Sequence, residues 1–281
     1  MILVTGATGT IGGEVARQLV AAGIKPRLLV RDPKKASDFS GKAELVQGDL
    51  AKPESLDAAF KGVEKLFLVT AGVDGPTLEK NAIAAAKRAG VQHVVKLSVI
   101  GADQPAITFA KWHAEGEKAL LASGLKWTLL RPGSFMSNTL FWLPTLKSQG
   151  AFYDSQGEGK YAPIDPADIG AVAVKALTEK GHEGKAYPMT GPASFTLTQQ
   201  AAMLSKAIGK PVKYVDVPPE AARQGMLSAG MPPAYVEAIV DLSTFLKSGK
   251  ADVVLPTVEQ VLGRKAGTFD DWATRHAAAF R

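Results

Sequence analysis

Three glycines at three-residue spacing, Gly6, Gly9 and Gly12, stand in the run Thr5-Gly6-Ala7-Thr8-Gly9-Thr10-Ile11-Gly12-Gly13. The run lies between an apolar strand-like stretch and an amphipathic one, and each glycine there has a separate use. Gly6 permits a tight turn, Gly9 lets backbone approach a pyrophosphate, and Gly12 lets a helix pack closely on a sheet with its N-terminus facing the phosphates. The spacing is G-x-x-G-x-x-G rather than G-x-G-x-x-G, and a loop of ordinary turn glycines is the alternative. A second group, Arg31-Asp32-Pro33-Lys34-Lys35, follows Leu28-Leu29-Val30. An acidic residue at such a strand end would bond a ribose 2′-hydroxyl, whereas an arginine accommodates a 2′-phosphate, so Arg31 favours NADP(H) over NAD(H). Asp32 is one residue late and alternation points it differently. Lys34 and Lys35 read equally as a solvated helix start or as phosphate contacts. Two further turns, Gly48-Asp49-Leu50 and Val69-Thr70-Ala71-Gly72, are small and polar enough for an adenine and a ribose to lie against backbone, or are simple turns.

The elements that must position these residues are legible as alternation. Runs rich in Val, Ile and Leu at 2–5, 27–30, 44–47, 66–70, 93–98 and 127–130 alternate with amphipathic segments such as 14–22 and 78–89, the latter opened by Pro76 and stopped by Gly90. Strand-helix-strand repetition predicts a parallel sheet covered on both faces, with the loops gathered along one carboxyl edge where such sheets bind ligands. The expected fold is α/β, a Rossmann-type doubly wound sheet over residues 1–134 and 164–190, with a smaller, mainly helical substrate lobe over 135–163 and 191–281. In that lobe a short strand is expected near 212–217. Asp165-Pro166-Ala167-Asp168 resembles a carboxylate pair but fits a helix start, with Asp at the N-cap and Pro at N1. Thr196 and Gln199 form a capping box ahead of residues 201–208.

Composition narrows the function classes. The 281 residues exceed what one core usually holds, and contain 46% hydrophobic and 21% charged residues. Zero cysteines exclude disulfides and thiolate sites, and the four histidines, His93, His113, His182 and His276, show no metal-ligand spacing, so no metal is expected. The net charge of +6 could suggest nucleic acid, but no Lys/Arg run exceeds two residues, which points instead to a solvated surface and a polyanionic cofactor. No apolar run approaches the ~20 residues that span a bilayer, and no signal peptide is visible, so a cytoplasmic location without membrane contact is expected.

The chain resembles the NmrA-like atypical short-chain dehydrogenase/reductases, the group containing type 2 quinone oxidoreductases and triphenylmethane reductase. The resemblance is carried by Thr5 to Gly12, Val30-Arg31-Asp32-Pro33, Gly48-Asp49-Leu50, Trp112-His113 through Glu117, Ser123-Gly124-Leu125, Trp127 to Gly133, Phe135-Met136 and Asn138. It implies cofactor contacts at Thr8, Gly9, Thr10 and Ile11, at Arg31, at Asp49 and Leu50, and at Val69 and Thr70, and it places Pro132 to Phe135, Ser134 included, beside the nicotinamide.

A departure from the wider pattern bears on the chemistry. Related reductases carry Tyr-x-x-x-Lys on the helix beside the nicotinamide, where lysine lowers the tyrosine pKa for proton exchange. Extended members often carry a glutamate four residues after that lysine; with Glu117 as this anchor, the lysine slot holds His113 and the tyrosine slot Phe109, so alcohol oxidation by that pair is not expected. An electron-poor acceptor such as a quinone becomes aromatic on reduction and needs little acid help. His113 could orient or protonate a substrate carbonyl, or could only bond Glu117 or the nicotinamide amide. Ser98 ends a strand where related enzymes keep a catalytic hydroxyl, or satisfies local backbone. Phe109, Phe135, Phe141 and Trp142 could wall an aromatic pocket, or pack between lobes. The expected activity is hydride transfer from NADP(H) to a small aromatic acceptor. The alternative is an NADP(H)-sensing regulator of the NmrA type with a protein partner, and a homodimer is open in either case. A sugar-nucleotide epimerase would need the missing Tyr/Lys pair.

Overall fold

The computed structural model describes residues 1–280, and the chain forms two compact units. Unit 1 comprises residues 1–105, 110–132 and 166–188, and unit 2 comprises 106–109, 133–165 and 189–281.

The first unit is built on strands β1 (Ile2–Val4), β2 (Arg27–Val30), β3 (Glu44–Gln47), β4 (Lys65–Leu68), β5 (His93–Leu97) and β6 (Lys126–Pro132). Between them run helices α1 (Thr10–Ala21), α2 (Leu56–Phe60), α3 (Gly75–Ala89) and α4 (Thr108–Ala122). After an excursion through α5 (Leu143–Gln149) and β7 (Ala151–Asp154), the chain returns as α6 (Pro166–Thr178) and β8 (Lys185–Met189). The sheet order is β3-β2-β1-β4-β5-β6-β8, and every pairing from β3 to β6 is parallel. The carboxyl ends of those six strands therefore share one edge. The order reverses between β1 and β4, the crevice where sheets of this kind take ligands.

Residue alternation divides the core. Leu3, Leu66, Leu68, Val94 and Leu129 face one way and pack with Leu56 and Phe60 of α2 and Ala82, Ile83 and Ala86 of α3. Lys65, on the opposite face, donates from Nζ to the carbonyl of Leu177 on α6 at 2.6 Å, which places α6 there. Helices α1 and α6 pack together closely enough that a methyl group on Gly170 would stand 2.8 Å from Glu14 Cγ. The Gln18 amide bridges them by donating to the Ala167 carbonyl at 2.9 Å. Helix α3 ends as its sequence predicts, at Gly90 with φ of 73°.

The second unit continues with α7 (Leu197–Ile208), β9 (Lys213–Asp216), α8 (Pro219–Ser228), α9 (Pro233–Lys247), α10 (Thr257–Leu262) and α11 (Phe269–His276). Strands β7 and β9 pair in parallel as a separate two-stranded sheet. The capping box of α7 is formed, with the Thr196 hydroxyl and Gln199 side chain each satisfying the other's backbone amide. A core of Phe152, Phe195, Leu197, Leu204, Phe269 and Trp272 holds the unit together. Helix α6 begins at Pro166 as the sequence predicts, and Asp168 lies in its first turn. Among the described residues no helix is long and apolar enough to cross a membrane.

Candidate functional site

The carboxyl edge of the parallel sheet is stitched at the reversal between β1 and β4. The buried Thr5 hydroxyl donates to the Val69 carbonyl at 3.0 Å and accepts from the Val69 amide at 2.9 Å, while the Thr5 amide donates to the Phe67 carbonyl at 3.0 Å. The glycine loop leaves from this anchored point. Gly6 has φ of 61°, the left-handed region that favours glycine, and a Cβ there would meet Val69 Cγ1 at 2.8 Å. A methyl group on Gly12 would overlap the Gly6 carbonyl oxygen and stand 2.6 Å from that of Thr5. The loop and the first turn of α1 are thus in backbone contact, which only glycine allows.

The N-terminus of α1 suits an anion. Its N-cap is Gly9, extended and without a side chain to cap the helix, and its first turn carries no acidic residue. The amides of Thr10, Ile11 and Gly12 have no intrahelical acceptor and meet no competing carboxylate in that turn. A dinucleotide pyrophosphate fits this end on both charge and space.

The neighbouring loops add the groups expected beside it. Arg31 follows β2, is exposed, and its guanidinium meets no carboxylate among the described residues. The carboxylate next to it is occupied: Asp32 caps the following 3-10 helix by accepting from the Lys34 amide at 3.0 Å. After β3, Asp49 Oδ1 accepts from the Ala51 amide at 3.0 Å, and Asn81 Nδ2 of α3 donates to the Leu50 carbonyl at 2.8 Å. Gly48 is held bare because a Cβ would come within 2.7 Å of Leu29 Cδ1.

At the ends of β4 and β5, two buried carboxylates hold hydroxyl groups. Thr70 donates to Glu79 Oε1 of α3 at 3.1 Å, and Lys96 of β5, fully buried, places Nζ 2.9 Å from the same oxygen. Lys96 also donates to the Leu97 carbonyl at 3.0 Å. Burial pushes the Glu79 carboxyl above its usual range, against the lowering pull of Lys96 and the Thr70 hydrogen bond. Ser98 donates to Glu117 Oε1 of α4 at 2.5 Å, and Arg131 of β6 grips the same carboxylate through Nε at 2.9 Å and Nη2 at 2.6 Å. Arg131 Nη1 lies 3.0 Å from Asp103.

This second network corrects two expectations drawn from the sequence. Glu117 does not pair with His113; its carboxylate accepts from the Arg131 guanidinium through both oxygens and from the Ser98 hydroxyl. Ser98 does not satisfy local backbone with its hydroxyl; the side chain is buried and its proton is held by Glu117. His113 makes no hydrogen bond among the described residues. Burial first, and the Lys96 ammonium second, push its imidazole down to about 3, so it is neutral at ordinary pH. Glu79 and Lys96 are not singled out by the motifs, and Arg131 stands in the run Trp127 to Gly133 without an assigned role. The available signals were a carboxylate on the apolar stripe of α3, beside Ala82, Ile83 and Ala86, and a lysine inside a strand that is buried throughout.

In the second unit, Phe135 and Ile164 form a bridge, the Ser134 carbonyl accepts from the Ile164 amide at 2.9 Å, and the Gly133 amide donates to the Met189 carbonyl at 2.8 Å. The segment beginning one residue after Pro132 is therefore braced by backbone. Three of the four aromatics have separate surroundings. Trp142 stacks on Phe152 with centroids 3.7 Å apart, Phe109 meets Tyr235 edge-on at 5.3 Å, and Phe141 is 75% exposed. Asp165 accepts from Arg275 of α11.

A family model described as NAD(P)H-binding matches residues 6–180. NAD(P)H azoreductase of Xenophilus azovorans is 44% identical over 284 residues, covering 100% of this chain and 99% of that protein. Quinone oxidoreductase 2 of Escherichia coli is 34% identical, covering 95% and 96% respectively. The crystal structure of an NADPH-dependent quinone oxidoreductase from Escherichia coli, complexed with NADPH, superposes with a TM-score of 0.88 at 32% identity, over 98% of this chain and 99% of that one. The transcriptional regulator NmrA in complex with NADP shares the fold, with a TM-score of 0.77 at 20% identity over 97% of this chain and 94% of that one. The bare helix end that suits a pyrophosphate thus lies inside the matched region, and the chain belongs to the NAD(P)H-binding family as an NAD(P)H-dependent reductase of NmrA-like fold.

Proposed function

We propose that the chain prefers NADPH and reduces electron-poor aromatic acceptors, with quinones and azo compounds as the acceptor classes. The observation that carries this reading is the lack, among the described residues, of a proton-donating side chain where related reductases carry the Tyr/Lys pair. On α4, Phe109 and His113 occupy the slots of the Tyr/Lys pair, His113 is held neutral, and the Ser98 proton is committed to Glu117. An acceptor served by such a site must take two electrons without a proton delivered in the same step. A quinone does so because its ring becomes aromatic, and the one proton that completes the hydroquinone then comes from solvent.

The residues divide the binding work. The amides of Thr10, Ile11 and Gly12 hold the pyrophosphate, with Thr8 and Gly9 shaping the approach and Gly6 the turn. Arg31 takes the 2′-phosphate, and Asp49, Leu50, Val69 and Thr70 line the adenosine and ribose path. When bound, NADPH supplies the hydride. In the second unit Phe141 offers an exposed ring on which an aromatic acceptor could stack.

The test follows NADPH absorbance with a panel of quinones and azo dyes, and in reverse offers NADP with simple alcohols. Sustained oxidation with at least one of the first two classes and none with alcohols is expected. Tight NADPH binding without turnover on any acceptor would overturn the reading and favour an NADP(H) sensor.

A further inference from the structure

Thr70 after β4 and Ser98 after β5 share one construction. Each hydroxyl donates to a buried carboxylate on the helix that follows its strand, and each carboxylate is neutralised from behind by a cation on a neighbouring strand. The two differ in exposure: Ser98 is buried, whereas Thr70 is half-buried at the edge of the sheet. A hydroxyl has one proton and two lone pairs. With its proton held by Glu79, Thr70 can meet a ligand only as an acceptor.

The pair behind Thr70 is an expensive way to build a core. A buried ion pair is often no more stable than apolar residues of the same volume. Glu79 Oε2 has no hydrogen-bond partner among the described residues, although it is shielded from solvent. The carboxylate also demands a glycine in the middle of α4, since a methyl group on Gly116 would overlap Glu79 Oε2 and stand 2.9 Å from Lys96 Cε. A helix-interior glycine is disfavoured relative to alanine. Three unfavourable features converge on one hydroxyl.

We propose that Glu79 and Lys96 are positioning residues that fix the Thr70 hydroxyl as a hydrogen-bond acceptor for a donor on the bound dinucleotide, either a ribose hydroxyl or the carboxamide NH2. The proposal rests on the assignment of this sheet edge to the cofactor. Lys96 holds Glu79 in place, Glu79 takes the Thr70 proton, and the lone pairs of Thr70 are left for the ligand. The pair itself does not touch the dinucleotide.

The test is a double-mutant cycle read as the NADPH dissociation constant of the full chain by titration calorimetry, with the melting temperature of the unliganded protein as control. Thr70→Val should weaken binding about five- to tenfold, the size of one hydrogen bond. Glu79→Met with Lys96→Met replaces the pair by side chains of similar shape, and should weaken binding by a similar factor. Combined with Thr70→Val, that double change should add nothing further, because it acts through a hydroxyl already removed. Losses that multiply, or no loss from either change, would overturn the proposal. If the Met pair fails to fold, Glu79→Gln alone enters the same cycle, where a loss that does not add to that of Thr70→Val supports the proposal and a multiplying or absent loss overturns it. A wild-type chain that binds NADPH keeps the cofactor assignment standing even if the cycle fails; one that does not bind overturns both.

Discussion

Arg31 shows how much a single residue decides and how it does so. Its guanidinium is exposed at the end of β2 and unpaired among the described residues, and the acid beside it is turned into the cap of the next turn. A free planar cation at this point matches a phosphate by charge and by bidentate geometry. Arg31→Ala should therefore weaken NADPH binding about ten- to a hundredfold while leaving NADH within about twofold, since the proposed contact is charge-assisted and would be made only to the 2′-phosphate. Titration of both cofactors checks this, and equal losses would remove the 2′-phosphate assignment. Arg31 and the loop glycines were legible in the sequence because their constraints are local: a strand end, a turn, a bare helix start. Glu79 and Lys96 were not, because each is explained only by a partner on another element.

Helix α4 shows the same limit one level up. Its sequence draws attention to Phe109, His113 and Glu117, yet its closest fit is made by a residue with no side chain, Gly116. Gly116→Ala improves helix propensity by about 1 kcal/mol but drives a methyl into a buried ion pair, an overpacking cost of about 1–3 kcal/mol that should win. A lower denaturation midpoint is expected, and an unchanged or raised one would show that Glu79 can move aside freely. The parallel strands inside the sheet, β2, β1, β4, β5 and β6, were readable because burial on both faces writes largely apolar runs. Strand β8 was not: it holds the sheet edge, contains Pro188 and exposes Lys185, Ala186 and Pro188, so it lacks that signature. Helix α1 starts four residues before the expected Glu14, because glycines at 12 and 13 mask the helical pattern while packing demands them.

Across the whole molecule, histidines whose burial lowers their pKa, His93, His113 and His182, tie stability to pH. His93 is buried at the start of β5. Thr128 donates its proton to the His182 carbonyl at 2.7 Å, so His93 Nε2 must be the donor in its 2.9 Å bond to Thr128, and its shielded Nδ1 has no partner. Burial, chiefly, pushes this imidazole down to about 4. An unfolded histidine titrates near about 6.5, so between those values the unfolded chain binds a proton that the folded chain refuses, and stability falls as pH falls through that window. His113, pushed down to about 3, acts in the same direction. Urea midpoints should drop from about pH 7.5 to about pH 5, and His93→Gln should flatten part of that slope; midpoints independent of pH would contradict the buried neutral state.

The same neutrality underlies the proposed chemistry, in which two-electron reduction would proceed without a proton from an ionising side chain. The most direct measurement is kcat against pH with NADPH and one quinone both saturating, between about pH 6 and about pH 8.5, where an ordinary imidazole acid would titrate. A profile flat to within about twofold is expected, because neither His113 nor Ser98 changes protonation there. A fall approaching tenfold per pH unit above about 6.5 would reveal a protein acid at work and contradict the proton-free hydride step.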